Sequence, residues 1–104
     1  MKQRETVSLS ANWRDMARFE TIVPIRLEGG VHGVTRDVSP NGVYFLADAP
    51  LAPGEPFFFS LEFTDPVGPL WLRAEGEVVR VDEFNGRRGI AARIVDSHLE
   101  RDPH

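Results

Sequence analysis

The stretch LWLRAEGEVVRVDEFNGRRGIAARIV, residues 70–95, decides the fold. At its centre stands Asn85-Gly86, the pair that suits a type I′ hairpin turn, in which both central residues take positive φ. Before the turn, Leu70, Leu72 and Ala74 alternate with Trp71, Arg73, Glu75 and Glu77, the period of two expected of a strand. The apolar phase then moves to Val79 and Val81, and a one-residue slip of that kind near Gly76 is what a β-bulge produces. RGIAARIV (88–95) follows the turn as the next strand.

Upstream the same reading repeats. FFFSLEF (57–63) puts Phe57, Phe59, Leu61 and Phe63 on one face. It is bounded by the Pro- and Gly-rich segments APLAPGEP (49–56) and TDPVGP (64–69). GVYFLA (42–47) is dense in β-formers, and VHGVTRDV (31–38) is a strand weakened by Gly33. FETIVPIRLEG (19–29) is the earliest strand, with Pro24 indicating an edge or a bulge. Gly29-Gly30 is a turn. Six strands at short spacing, with no long amphipathic helix, predict an all-β domain, an antiparallel barrel or sandwich. A closed six-stranded antiparallel β-barrel removes the edges that a flat sheet would leave exposed. Residues 1–12 are polar and lack periodicity, and read as a flexible N-terminal segment. RDMARF (14–19) is a loop or a single helical turn. DSHLERDPH (96–104) is a polar end, read as a short tail or a helical turn capped by Asp96 or Ser97.

The chain has 104 residues, room for one core. It contains no Cys, which excludes disulfides, thiolate metal sites and a Cys nucleophile. The three His, at 32, 98 and 104, are scattered, so neither a metal site nor a catalytic triad is indicated, and no enzyme is expected. No apolar run approaches the roughly 20 residues of a membrane helix. The N-terminus has no apolar signal region, so the expected compartment is the cytoplasm. A net charge of −4 argues against a general nucleic-acid binder. Yet eleven of the twelve cationic residues are Arg, whose fork grips planar or phosphorylated groups better than Lys does.

Two segments carry groups suited to such a ligand. Arg14 and Arg18 form an R-x-x-x-R where the polar segment meets the barrel. Alone it is weak, since eleven Arg in 104 positions supply about one such pair by chance. TRDVSPNGVYFLAD (35–48) turns through Ser39-Pro40-Asn41-Gly42. Its Asp37 and Ser39 can satisfy local amides as turn residues do. The same carboxylate can accept from guanine N1–H and N2–H, and the Ser39 hydroxyl can serve phosphate or base atoms. Gly42 lets backbone approach closely, while Arg side chains pair with guanine O6 and N7 or clamp phosphate.

Arg14-x-x-x-Arg18 followed by Asp37-x-Ser39-x-x-Gly42 resembles the two-part signature of PilZ domains, bacterial receptors for cyclic di-GMP. APLAPGEPFFFSLEF, LRAEGEVVRVD and GRRGIAARIVD also resemble stretches of that family. The resemblance implies a PilZ-like barrel over residues 13–99, with 1–12 a flexible tail and 100–104 a C-terminal tail. It implies that Arg14 and Arg18 hold guanine and phosphate from a segment that folds over the ligand, while Asp37, Ser39 and Gly42 line the opposite wall. Many members carry a further Arg just before the first motif Arg, associated with an intercalated ligand pair. Here that place is Trp13, which can stack on a base or pack on the barrel, and the missing Arg implies one ligand per chain. Arg36 joins the ligand-binding set, since Arg36 or Arg73 can compensate for the missing Arg. The expected function is a cyclic di-GMP receptor that orders its Arg segment on binding and signals to a protein partner, with no cofactor, no metal and no membrane insertion. The alternative is a PilZ-like adaptor that binds proteins without nucleotide; the intact motif residues argue against it. A barrel of the OB type that binds nucleic acid is a poorer match to the net charge.

Overall fold

The computed structural model describes residues 5–7, 22–65 and 68–101. Every regular element among them is a strand: β1 (Glu5–Val7), β2 (Pro24–Leu27), β3 (His32–Val38), β4 (Gly42–Ala47), β5 (Pro56–Asp65), β6 (Gly68–Phe84) and β7 (Arg87–Arg101). Neighbours run β7-β4-β3-β2-β5-β6, and β6 pairs back onto β7, so six antiparallel strands close into the expected barrel. Pro24 is the first residue of β2, where its missing N–H costs no ladder bond. Asn85 (φ 51°) and Gly86 (φ 78°) both take positive φ, joining β6 to β7 by the turn their identities predict.

The barrel interior is apolar. Phe45, Ile25, Leu61, Leu72, Ile90, Val38 and Val78 are fully enclosed. Phe57, Phe59 and Leu61 of β5 share the inward face, with Phe63 half-buried beside them. The Phe57 and Phe59 rings stack at 5.2 Å. Both rings lie across Gly76 of β6, where a Cβ would come within 3.1 Å of each. Each such side chain contributes about 1.5–3 kcal/mol by leaving water.

Two features differ from the sequence reading. The polar end is strand, not a helical turn: Asp96, Ser97, His98, Leu99 and Glu100 pair with Glu75, Ala74, Arg73, Leu72 and Trp71. A sequence this polar carries little apolar period of its own. The ladder offered by β6 makes it a strand, with Leu99 turned into the core. The far end of β7 also takes on β1, through Glu5↔Arg101, Thr6↔Glu100 and Val7↔Leu99. Three residues are too few to show a period of two, so β1 was not legible inside the polar N-terminal segment.

The second difference concerns the slip in β6. Gly76 and Val78 keep the inward phase of Leu72 and Ala74. The extra residue is Val79, 58% exposed, between Val78↔Ala92 and Arg80↔Ala91. A separate slip faces Glu75 and Gly76, but its extra residue is Val95 of β7.

Gly33 shows how closely β3 lies on β4. A Cβ there would sit 2.2 Å from the Leu46 carbonyl oxygen and 2.8 Å from the Ala47 Cβ. Neither is the end of a flexible side chain, so the strands themselves would have to part. Gly33→Ala is expected to lower stability by about 1–3 kcal/mol, seen as a lower urea midpoint at unchanged slope.

Candidate functional site

β3 does not run straight into its turn. Thr35 pairs with Phe45 and Asp37 with Tyr44, leaving Arg36 as an extra, bulged residue. The consequence is chemical. Thr35 and Val38 both point into the barrel and are fully buried. Arg36 is exposed and Asp37 half-buried on the outer side, so two consecutive charged residues share it. Asp37 and Tyr44 are a cross-strand pair and present their side chains to one face.

The connection to β4 is tight. Ser39 N–H donates to the Gly42 carbonyl at 2.9 Å, and Gly42 N–H reaches the Ser39 hydroxyl at 3.2 Å. The Ser39 hydroxyl also donates back to the Gly42 carbonyl at 3.3 Å. Ser39 thus does the turn work its residue type suggests. The Asn41 carbonyl accepts from Ile94 N–H at 2.9 Å, tying the turn to β7. Gly42 lies against the same strand, where a Cβ would come 3.1 Å from the Ala92 carbonyl oxygen. Its lack of a side chain therefore already serves the β4–β7 contact.

Asp37, Ser39, Gly42 and Arg36 are thus gathered on one hairpin. Arg14, Arg18 and Trp13 lie outside the described residues. The chain leading out of their segment arrives beside this hairpin. Val23 N–H donates to Thr35 Oγ1 at 3.0 Å, Thr35 N–H donates to the Val23 carbonyl at 2.9 Å, and Asp37 is two residues further along.

Sequence reasoning missed the neighbours that β4, β6 and β7 bring to this face. The Arg36 guanidinium lies 4.7 Å over the Phe84 ring, a cation–π contact reaching the β6–β7 turn. Phe84 meets Tyr44 edge-on at 6.3 Å. The Tyr44 hydroxyl donates to Asp82 Oδ1 at 2.7 Å, and Arg80 Nε donates to Asp82 Oδ2 at 3.2 Å. Tyr44 crosses Gly89 to get there: a Cβ on Gly89 would fall 2.0 Å from the hydroxyl. Arg93 pairs with Gly42 across the ladder and is bonded to Glu77. The outward phase of Tyr44 was readable from the alternation of GVYFLA. Its partners were not, since they lie 38 and 40 residues away in sequence and meet it only through strand order.

Electrostatics follow from these bonds. Partial desolvation, then the Asp82 carboxylate, raise the Tyr44 hydroxyl above its ordinary value near 10. The Tyr44 hydrogen bond, and then Arg80, hold the Asp82 carboxyl below the usual carboxylate range. No group of His, Cys, Asp and Glu suited to a metal ion occurs among the described residues, nor any helix long and apolar enough to cross a membrane.

Comparison with known proteins agrees with the architecture. The family model described as PilZ domain matches residues 9–102. Among solved structures, the Bacillus subtilis inhibitor of motility (MotI/DgrA) is similar in fold, with a TM-score of 0.70 at 12% sequence identity. That match covers 77% of this chain and 41% of the other, so the chain spans about two fifths of that protein's length. No curated protein matches.

Tyr44→Phe is expected to return Asp82 toward the ordinary carboxylate range, read from its carboxyl carbon shift in an NMR titration. A depressed folded-state carboxyl contributes stability that is present above its unfolded value of about 3.9 and is lost as pH falls through the folded value. Wild-type stability should therefore fall more steeply than that of Tyr44→Phe below about pH 4.

Proposed function

As the chain belongs to the PilZ domain family, we propose that it is a receptor for cyclic di-GMP. Arg14 and Arg18, in the segment preceding β2, grip guanine and phosphate. Asp37, Ser39 and Gly42 form the facing wall, with Arg36 beside them. Binding orders the segment around residues 10–18 against the barrel and creates a surface for a protein partner. The observation that carries this reading is the bulge in β3. It turns Asp37 outward on the hairpin that holds Ser39 and Gly42, next to the point where Thr35 anchors the chain coming from Arg14 and Arg18. The family match over residues 9–102 supports a binding domain rather than a catalyst.

Guanine selectivity has a physical basis. The Asp37 carboxylate accepts from guanine N1–H and N2–H, and Arg forks donate to O6 and N7. Adenine presents a donor in place of O6 and cannot reproduce the set. Trp13 stands where many members carry the Arg that accompanies a second ligand. It offers a stacking face in place of a charge, which favours a single bound molecule.

Calorimetry tests these points together. Cyclic di-GMP should bind in preference to cyclic di-AMP, GTP and GMP, and equal binding of the two cyclic dinucleotides would exclude guanine readout. Arg14→Ala and Arg18→Ala should each weaken binding by roughly 5–150-fold, the loss of one bidentate charged contact, while the barrel keeps its urea midpoint. Lys at either position should recover only part, because the fork is gone. The expected stoichiometry is one ligand per chain, and a ratio of two would show that Trp13 does not block the second.

A further inference from the structure

On the outside of the barrel, β2, β5, β6 and β7 lie side by side, and their registers align side chains into rows. One row reads Arg26, Ser60, Arg73, His98, from the pairings Arg26↔Ser60, Ser60↔Arg73 and Arg73↔His98. Two residues along each strand, the next row reads Glu28, Phe58, Glu75, Asp96. Here Phe58 pairs with Glu75, Glu75 with Asp96, and Glu28 N–H donates to the Phe58 carbonyl at 2.9 Å. Residues two apart on a strand share a face, and both rows line one open groove of about 370 Å³. The first row carries the cationic side chains and the second the acidic ones. In the middle of the acidic row Phe58 stands 52% exposed, beside the small Ser60 of the other row.

We propose that this groove is a self-association surface, covered by the same face of a second copy of the chain. An isologous contact needs a patch complementary to itself. A two-fold axis lying in the interface, across the strands and midway between the rows, sets each row of one copy against the other row of its mate. Arg26 then faces Glu28 of the second copy, Arg73 faces Glu75 and His98 faces Asp96, each pair occurring twice. The same axis brings Phe58 over Ser60, a large side chain onto a small one. Shifting the axis onto either row would set like charges against each other, so the charge pattern selects this register.

The groups needed are available. The side chains of Arg26, Glu28, Glu75 and Asp96 make no ion pair with any described residue. Arg73 and His98 are each bonded to Glu100 of their own chain, through Nε at 2.5 Å and Nε2 at 2.6 Å. That leaves both Arg73 Nη groups to donate to the second copy. Packed sheets stand about 10 Å apart, a gap that opposed Arg and Glu side chains span. Asp37, Ser39 and Gly42 do not line this groove, so the inference stands independently of the nucleotide reading.

Sedimentation equilibrium of the full chain without nucleotide tests it. The expected result is a reversible monomer–dimer equilibrium that weakens with added salt. Arg26→Glu opposes like charges twice per dimer and should weaken association on the order of a hundredfold. Glu28→Arg alone should do the same, and the double variant R26E/E28R should recover the dimer, because the charges are only exchanged across the axis. Phe58→Asp should give a monomer. All three positions are exposed and line the open groove, and an unchanged urea midpoint checks that each variant is folded. A wild-type chain that stays monomeric at the highest attainable concentration would overturn the proposal. So would a dimer indifferent to Arg26→Glu and Phe58→Asp, or a double variant no better than the single ones.

Discussion

The pairing of β6 with β7 is the constraint on which the rest of this molecule depends. Each strand must find partners for its backbone N–H and C=O groups. A six-stranded sheet left open would expose two edges, one on β6 and one on β7, and both are the longest strands in the chain. Pairing them to each other removes both edges at once. It also holds the interior at a width that Phe45, Phe57, Phe59 and Leu72 fill. Gly76 is part of the same constraint, because the two Phe rings of β5 occupy the space its side chain would need.

Closure over strands this long is not achieved with a perfect ladder. Among the described residues three are left over, Arg36 in β3, Val79 in β6 and Val95 in β7. Each slip changes which face the following side chains take. At Val79 the effect is to keep Val78 inside and to turn Val81 partly inward after it, with Val79 left exposed. At Arg36 the effect is to let Thr35 and Val38 remain in the core while Arg36 and Asp37 both stand on the outer side. The packing requirement and the presentation of the motif carboxylate are therefore met by a single inserted residue.

The turn residues show a similar double duty. Ser39 and Gly42 close the β3–β4 connection with their own hydrogen bonds, and Gly42 lets β7 approach. Such a turn is legible in sequence because few residue types supply its hydrogen bonds and its close backbone approach. The platform beside it is different. Arg36, Phe84, Tyr44, Asp82 and Arg80 come from β3, β4 and β6, and nothing in their spacing announces that they meet. Gly89 is the clearest case: in sequence it is one glycine in a strand, and in the fold it is the gap through which Tyr44 reaches Asp82.

What the sequence determined by itself was therefore the local physics. Period-two apolar patterns gave the six barrel strands, Asn85-Gly86 gave the type of the long hairpin turn, and the spacing of Asp37, Ser39 and Gly42 marked a turn with chemistry to spare. These are properties of neighbours within a few residues, where backbone geometry and side-chain period act directly. Only the tertiary structure decided the location of the register slips, the extension of β7 through its polar end to Arg101, the addition of β1, and the alignment of charged rows across β2, β5, β6 and β7. Those depend on which strand lies beside which. A polar segment such as 96–101 becomes a strand when a partner's hydrogen-bonding groups are already in place beside it, and no period within the segment itself records that partner.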